Sequence, residues 1–145
     1  MLAPSVFSAM CQTLRLSPQI DLFATAQHHQ LPWYLSPRTE DPHALGHNAF
    51  AYHWPRDVLL YANPPWTILD QVVDKILTDR VRIMLVAPFW PEAQWYRKVR
   101  PFIVDRCLWK QALYLAPDGR LRPRPKWSTL FMSIDASLVV KSSTY

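Results

Sequence analysis

The residues of this chain whose types and order are best suited to chemistry are Asn63-Pro64-Pro65-Trp66. Neither proline carries a backbone N–H, and each ring fixes its own φ. A residue that precedes proline is driven out of the helical region, so Asn63 and Pro64 are both expected to be extended. Such a turn presents the Pro64 carbonyl and the Asn63 amide oxygen as a rigid pair of acceptors beside a flat aromatic face. That pair can hold an exocyclic amine and aim its nitrogen at an electrophile. The plain alternative is a proline turn without chemistry, since 14 prolines in 145 residues is about twice the average share of roughly 5%.

The elements around the tetrapeptide would have to position it. Val58 to Ala62 is an apolar run that reads as a buried strand. After the turn, Ile68, Leu69, Val72, Val73, Ile76 and Leu77 form one helical stripe with Asp70, Asp74, Lys75 and Asp79 mainly opposite. Thr67 is the expected cap, with Asp70 at the capping-box position. Upstream, Val6, Phe7, Met10 and Leu14 recur at helical spacing over residues 4–16. Ile20 to Ala24 reads as a short strand. Residues 26–56 read as a long irregular stretch, the kind of loop that is usually functional or lid-like.

Downstream, Arg82 to Ala87 reads as a strand, residues 92–103 as a helix, Lys110 to Leu115 as a strand, Pro117-Asp118-Gly119 as a turn and Leu130 to Ile134 as a last strand. Strands alternating with helices predict an α/β fold: one small, Rossmann-like, mostly parallel sheet flanked by helices over residues 1–136, with the site at the C-terminal strand ends. Residues 137–145 read as a frayed polar tail.

Half of the residues are hydrophobic, enough for a core, yet no segment approaches the roughly 20 apolar residues of a membrane span. The first residues lack the pattern of a secretory signal, and Cys11 and Cys107 stand far apart without a C-x-x-C partner. These features predict an intracellular protein, in nucleus or cytoplasm, with buried thiols and no membrane association. The net charge of +5 is uneven, with Arg97, Lys98, Arg100, Arg106, Lys110, Arg120, Arg122, Arg124 and Lys126 all in the second half. That bias suits a polyanion such as nucleic acid; a solvated basic face is the alternative. Trp90, Trp95 and Tyr96 beside Arg97, Lys98 and Arg100 suit stacking on bases, or an amphipathic helix with its aromatics turned inward. Five histidines fall between residues 28 and 53, but Pro42 and Gly46 break the His43/His47 spacing, no Glu follows His43, and no metal site is expected.

Three stretches in order, Ile20-Asp21-Leu22-Phe23-Ala24-Thr25, Asn63-Pro64-Pro65-Trp66 and Met84-Leu85-Val86-Ala87-Pro88, resemble the phage-type Dam family of adenine DNA methyltransferases. Asp118-Gly119-Arg120-Leu121 and Trp127 to Ile134 resemble that family's late loop and final strand. The chain is still more similar to the Dam-like domain of DIRS-type tyrosine-recombinase retroelements, which lies downstream of reverse transcriptase and RNase H. Pro18 to Thr25, His29-Gln30-Leu31-Pro32, Asp41-Pro42, Asn48-Ala49-Phe50 and Val86 to Pro91 carry that similarity, which spans residues 4–134.

The resemblance implies that Asn63 and the Pro64 carbonyl hold the adenine amine, with Pro65 stiffening the turn and Trp66 stacking on a flipped base. It implies that Asp21, Phe23 and Ala24 line a pocket for S-adenosylmethionine. The implied partners are DNA, or an RNA–DNA hybrid, and other domains of a retroelement polyprotein. Arg97, Lys98, Arg100, Arg120, Arg122 and Arg124 are the candidate phosphate contacts. Where many methyltransferases carry a glycine-rich turn after the first strand, this chain has Ala24-Thr25-Ala26. A second reading is therefore a non-catalytic nucleic-acid-binding or structural module within a larger retroelement or host ribonucleoprotein complex.

Overall fold

The computed structural model describes residues 1–138; the expected frayed tail lies, after Leu138, outside the described residues. Helix α1 (Pro4–Leu14) leads into β1 (Ile20–Asp21), β2 (Trp33–Ser36), β3 (Gly46–His47) and β4 (Leu59–Ala62). Then come α2 (Leu69–Asp79), β5 (Arg82–Pro88), α3 (Gln94–Val99), β6 (Ile103–Trp109) and β7 (Thr129–Asp135). The strands form one seven-stranded sheet in the order β3-β2-β1-β4-β5-β7-β6. Pairings from β3 through β5 are all parallel, and β7 runs antiparallel to both β5 and β6. The fold is α/β with a mostly parallel sheet.

Strand alternation decides which helix covers which face. Leu60, Ala62, Ile83, Leu85, Ala87, Leu130, Met132 and Ile134 share one core with Val72, Val73 and Ile76 of α2 and with Trp95 and Val99 of α3. Tyr61, Met84, Val86 and Phe131 turn the other way and pack with Val6, Phe7, Met10 and Leu14 of α1. Burial on both faces explains the unbroken apolar run of β5, as in parallel sheets generally. The α2 stripe reads Leu69, Val72, Val73 and Ile76, all fully buried, and each such side chain contributes about 1.5–3 kcal/mol on burial. Arg80, in the left-handed region at φ 58°, ends α2 by donating its N–H to the Ile76 carbonyl.

Several elements differ from the sequence expectation. The stretch 26–56 is not wholly irregular, since β2 and β3 extend the sheet beyond β1; strands of two to four residues are too short to show a period. Thr67 does not cap α2, because a 3₁₀ turn over Trp66–Ile68 comes first and no side-chain cap bond forms. The helix expected over 92–103 stops at Val99 and a 3₁₀ turn at Arg100–Phe102 follows, where Pro101 removes a backbone donor. The next strand is therefore Ile103–Trp109, not Lys110 to Leu115. The latter segment contributes only isolated bridges, Leu2 to Tyr114 and Leu115 to Leu121. Cys11 and Cys107 are free thiols, half-buried rather than buried. Among the described residues no helix is long and apolar enough to cross a membrane.

Candidate active site

Strands β1 and β4 lie side by side, with Ile20 opposite Leu60 and Asp21 opposite Tyr61. The chain from β1 runs outward through β2 and β3, while β4 and β5 continue in the other direction. The strand order therefore reverses between β1 and β4, and a crevice opens beyond their carboxyl ends, as it does at the switch point of doubly wound sheets. A cavity of about 430 Å³ occupies this place, lined by Asp21, Phe23, Ala24, Asn63, Pro65 and Ile68 among others. Its volume falls in the range of small-molecule sites, roughly 300–1,000 Å³.

Its first wall is the exit of β1. The Leu22 N–H donates to the Tyr61 carbonyl at 3.0 Å and the Ala24 N–H to the Leu35 carbonyl at 3.0 Å, which ties this exit to both neighbouring strands. Phe23 packs against Phe50 and Trp54, with ring centroids 5.8 and 6.4 Å away. Asp21 is 3% exposed, and its carboxylate accepts from the Gln30 N–H at 2.9 Å and the Phe23 N–H at 3.4 Å. Burial pushes its pKa up to about 6 against these stabilising N–H groups. A buried carboxylate with a displaced pKa, sitting in a cavity, is a candidate for a functional position.

The second wall is the turn after β4. Asn63 and Pro65 face the cavity, while Pro64 is buried behind them. The Tyr114 hydroxyl donates to the Asn63 amide oxygen at 3.4 Å. The Pro65 carbonyl accepts from the Ile68 N–H at 3.2 Å, closing the 3₁₀ turn that carries Trp66 away from the cavity. Trp66 instead packs edge to face against Trp90 and Trp127, at centroid distances of 5.4 and 5.7 Å. Asp21, Phe23, Ala24, Asn63 and Pro65 are thus brought to one cavity, and Trp66 to an aromatic cluster outside it.

Residues not anticipated from the sequence complete the lining. Tyr61 is 1% exposed and its hydroxyl has no hydrogen-bond partner; burial and then the Asp21 charge raise its pKa well above the ordinary value. Asn48 holds φ 65°, accepts from the Phe50 N–H at 3.2 Å and lines the same space. A non-glycine residue in that region costs energy and gathers at functional sites. His28 and His29 also border the cavity, and the His29 ring lies stacked on Tyr34 at 4.4 Å. Alternation along β4 could have flagged Tyr61, since a polar tip there faces opposite to Leu60 and Ala62. Asn48 lies in the Asn48-Ala49-Phe50 stretch that carries the family resemblance, though the resemblance attaches no role to it, and nothing local pointed to Tyr114. Among the described residues no three His, Cys, Asp or Glu side chains converge as metal ligands.

The basic residues are not gathered into one patch. Arg97 pairs with Glu92 at 3.1 Å and Lys98 with Asp74 at 3.0 Å, and α3 belongs to the α2 face of the sheet. Arg100 is exposed at its end. Arg120, Arg122 and Arg124 are exposed on the segment before β7, where the Arg122 N–H donates to the Tyr114 carbonyl at 2.8 Å. Tyr114 packs against the α1 core, on the opposite face. No protein-family model matches this chain, and no curated protein matches it significantly.

Proposed function

We propose that this chain is a Dam-like domain of the DIRS-retroelement type, with a Rossmann-like methyltransferase sheet that serves methyl transfer from S-adenosylmethionine to the exocyclic amine of adenine in DNA. The observation that carries the reading is the meeting of Asp21 and Asn63 in one cavity at the reversal of strand order. The residues present suit the cofactor: the wall is mostly apolar, from Leu22, Phe23, Ala24, Phe50 and Ile68, with a few convergent polar groups. S-adenosylmethionine supplies a methyl group on a sulfonium when bound. Asp21 offers the anion that such a cationic ligand requires, and Phe23 and Ala24 keep water from it. The Asn63 amide oxygen, with one lone pair on Tyr114, keeps the other for an amine N–H. The family resemblance implies the Pro64 carbonyl as the second acceptor, and because Pro64 is buried behind the cavity wall that carbonyl must turn toward the cavity for the amine to reach it. Two acceptors orient the nitrogen lone pair without a general base, so positioning supplies most of the rate. Trp66 lies one residue past the cavity wall and stays 40% exposed, and in this reading it is the side chain that contacts the nucleic acid.

Calorimetric titration with S-adenosylmethionine tests this directly. Saturable binding that is lost in Ala24→Trp, which fills the pocket, supports the reading; no binding heat in the folded wild-type protein rejects it. A second reading, a nucleic-acid-binding module that has lost transfer, is favoured by a different observation. The Asn63 oxygen already has a donor in Tyr114, and no glycine follows β1. Cofactor binding without methyl transfer to any adenine-containing duplex is the result that selects it.

A further inference from the structure

Three tryptophans from separate parts of the chain meet outside the cavity. Trp66 follows the proline turn, Trp90 follows β5 and Trp127 precedes β7. Their ring centroids lie 5.1 to 5.7 Å apart with interplanar angles of 77° to 86°. Rings set edge to face in this way brace one another. Trp66 remains 40% exposed and Trp127 41%. Core packing alone does not require two indoles to stay that open side by side, and adjoining exposed aromatics mark a contact surface.

The segment leading into Trp127 supplies the complementary charge. Gly119, at φ 84°, closes the Ala116–Gly119 turn. The chain then reads Arg120-Leu121-Arg122-Pro123-Arg124-Pro125-Lys126-Trp127, with no acid until Asp135. Pro123 and Pro125 hold Arg122 and Arg124 extended, and the chain bends at Lys126 and Trp127. Arg120, Arg122, Arg124 and Lys126 stand at every second position of this segment and all are exposed. Arg122, Arg124 and Lys126 make no ion pair among the described residues. The Lys126 ammonium sits 5.5 Å from the Trp127 ring centroid, a cation held over a π face that a base would replace.

We propose that Arg122, Arg124 and Lys126 form a phosphate track ending on a stacking platform made by Trp127, braced by Trp90 and Trp66, and that this surface binds single-stranded nucleic acid. Closely spaced positive charge calls for a polyanion, and half-exposed indoles, one of them capped by a displaceable ammonium, call for unstacked bases. A duplex presents phosphates but no free base face, and an acidic peptide presents charge but no ring. The surface is independent of methyl transfer, because it needs neither adenine nor cofactor.

The test is fluorescence anisotropy of a labelled oligothymidine of about 12 nucleotides, within the site sizes of single-strand binders, at about 50 mM salt, without cofactor. Thymine cannot satisfy an adenine site, so failure of the methyltransferase reading leaves the result unchanged. Oligothymidine should bind about tenfold more tightly than an abasic oligonucleotide of equal length, the difference one stacked base supplies. Trp127→Ala should abolish that difference and Trp127→Phe should retain part of it. Arg124→Glu with Lys126→Glu should weaken both oligonucleotides alike. Equal binding of the two oligonucleotides by the wild-type protein, equal binding of polyglutamate, or no binding at low salt overturns the proposal. The comparison of the two oligonucleotides needs no variant, so misfolding of one cannot obscure it.

Discussion

The Tyr114 hydroxyl and the Asn63 amide oxygen are 3.4 Å apart, a hydrogen bond that spans 51 residues of chain. It joins the segment after β6 to the turn after β4 and sets which way the Asn63 amide faces. Burial raises the Tyr114 pKa above its ordinary value, so the phenol stays a donor at neutral pH. Tyr114→Phe should therefore leave S-adenosylmethionine affinity unchanged while lowering kcat. A lost hydrogen bond of about 0.5–1.5 kcal/mol corresponds to roughly a two- to tenfold drop. Steady-state kinetics on an adenine-containing duplex measures it, and a change confined to KM would show that Tyr114 does not orient Asn63.

Asp21 should make stability fall as pH rises toward neutrality. Its folded pKa is raised to about 6 from an ordinary 3.8, so between those values the folded chain binds more protons than the unfolded one. The stabilising contribution is complete below 3.8 and lost as pH passes about 6. Integrated over that window it amounts to about 3 kcal/mol. Urea denaturation at a series of pH values should show this slope in the wild type and its absence in Asp21→Asn. Cofactor affinity should move the opposite way, falling below pH 6 by up to about tenfold per pH unit as the carboxylate protonates. An identical pH profile in the variant would contradict both expectations.

Asp79, at the end of α2, acts with the opposite sign. It is 3% exposed, and its carboxylate accepts from the Trp54 N–H at 2.9 Å and from the Lys75 ammonium at 2.8 Å, with His53 at 3.2 Å. Burial opposes its ionisation, but Lys75, the Trp54 N–H and His53 together hold the pKa below 3.8. Its contribution is present above 3.8 and is lost as pH falls through the folded value. Asp79→Ala leaves the buried Trp54 N–H without its acceptor, so it should destabilise by about 1–3 kcal/mol. Asp79→Asn should cost less, because the amide oxygen still accepts from Trp54. Equal losses in the two variants would show that packing, not the carboxylate, holds Trp54 against α2.

How far the sequence disclosed this arrangement follows from the range of each interaction. Helix α2 and strand β5 were legible because their apolar periods are long and local: Leu69, Val72, Val73 and Ile76 in one, Ile83 through Ala87 in the other. The meeting of Asp21 with Asn63 at one cavity was legible only through the family resemblance, joined to the rule that α/β sites form at the carboxyl ends of strands. β2 and β3 were not legible, because Trp33–Ser36 and Gly46–His47 owe their conformation to β1 and to each other. β6 was not legible because none of its residues is buried and a register shift between Ile103 and Asp105 breaks its alternation, as suits a sheet edge. Trp66 kept its neighbours hidden as well. Trp90 and Trp127 reach it only through the antiparallel insertion of β7 beside β5, which sets Pro88 opposite Thr129.

The central claim is that Asn63 presents an amine to an electrophile, and transfer of labelled methyl from S-adenosylmethionine to an adenine-containing duplex tests it most directly. The wild-type protein should label the adenine exocyclic nitrogen. Asn63→Ala should abolish labelling, by at least about a hundredfold as for other groups that position a reacting atom, while circular dichroism and cofactor binding stay unchanged. Asn63 is only half-buried, so the fold should tolerate the change. Equal labelling by the two proteins, or none by a wild-type protein that binds the cofactor, would contradict the account.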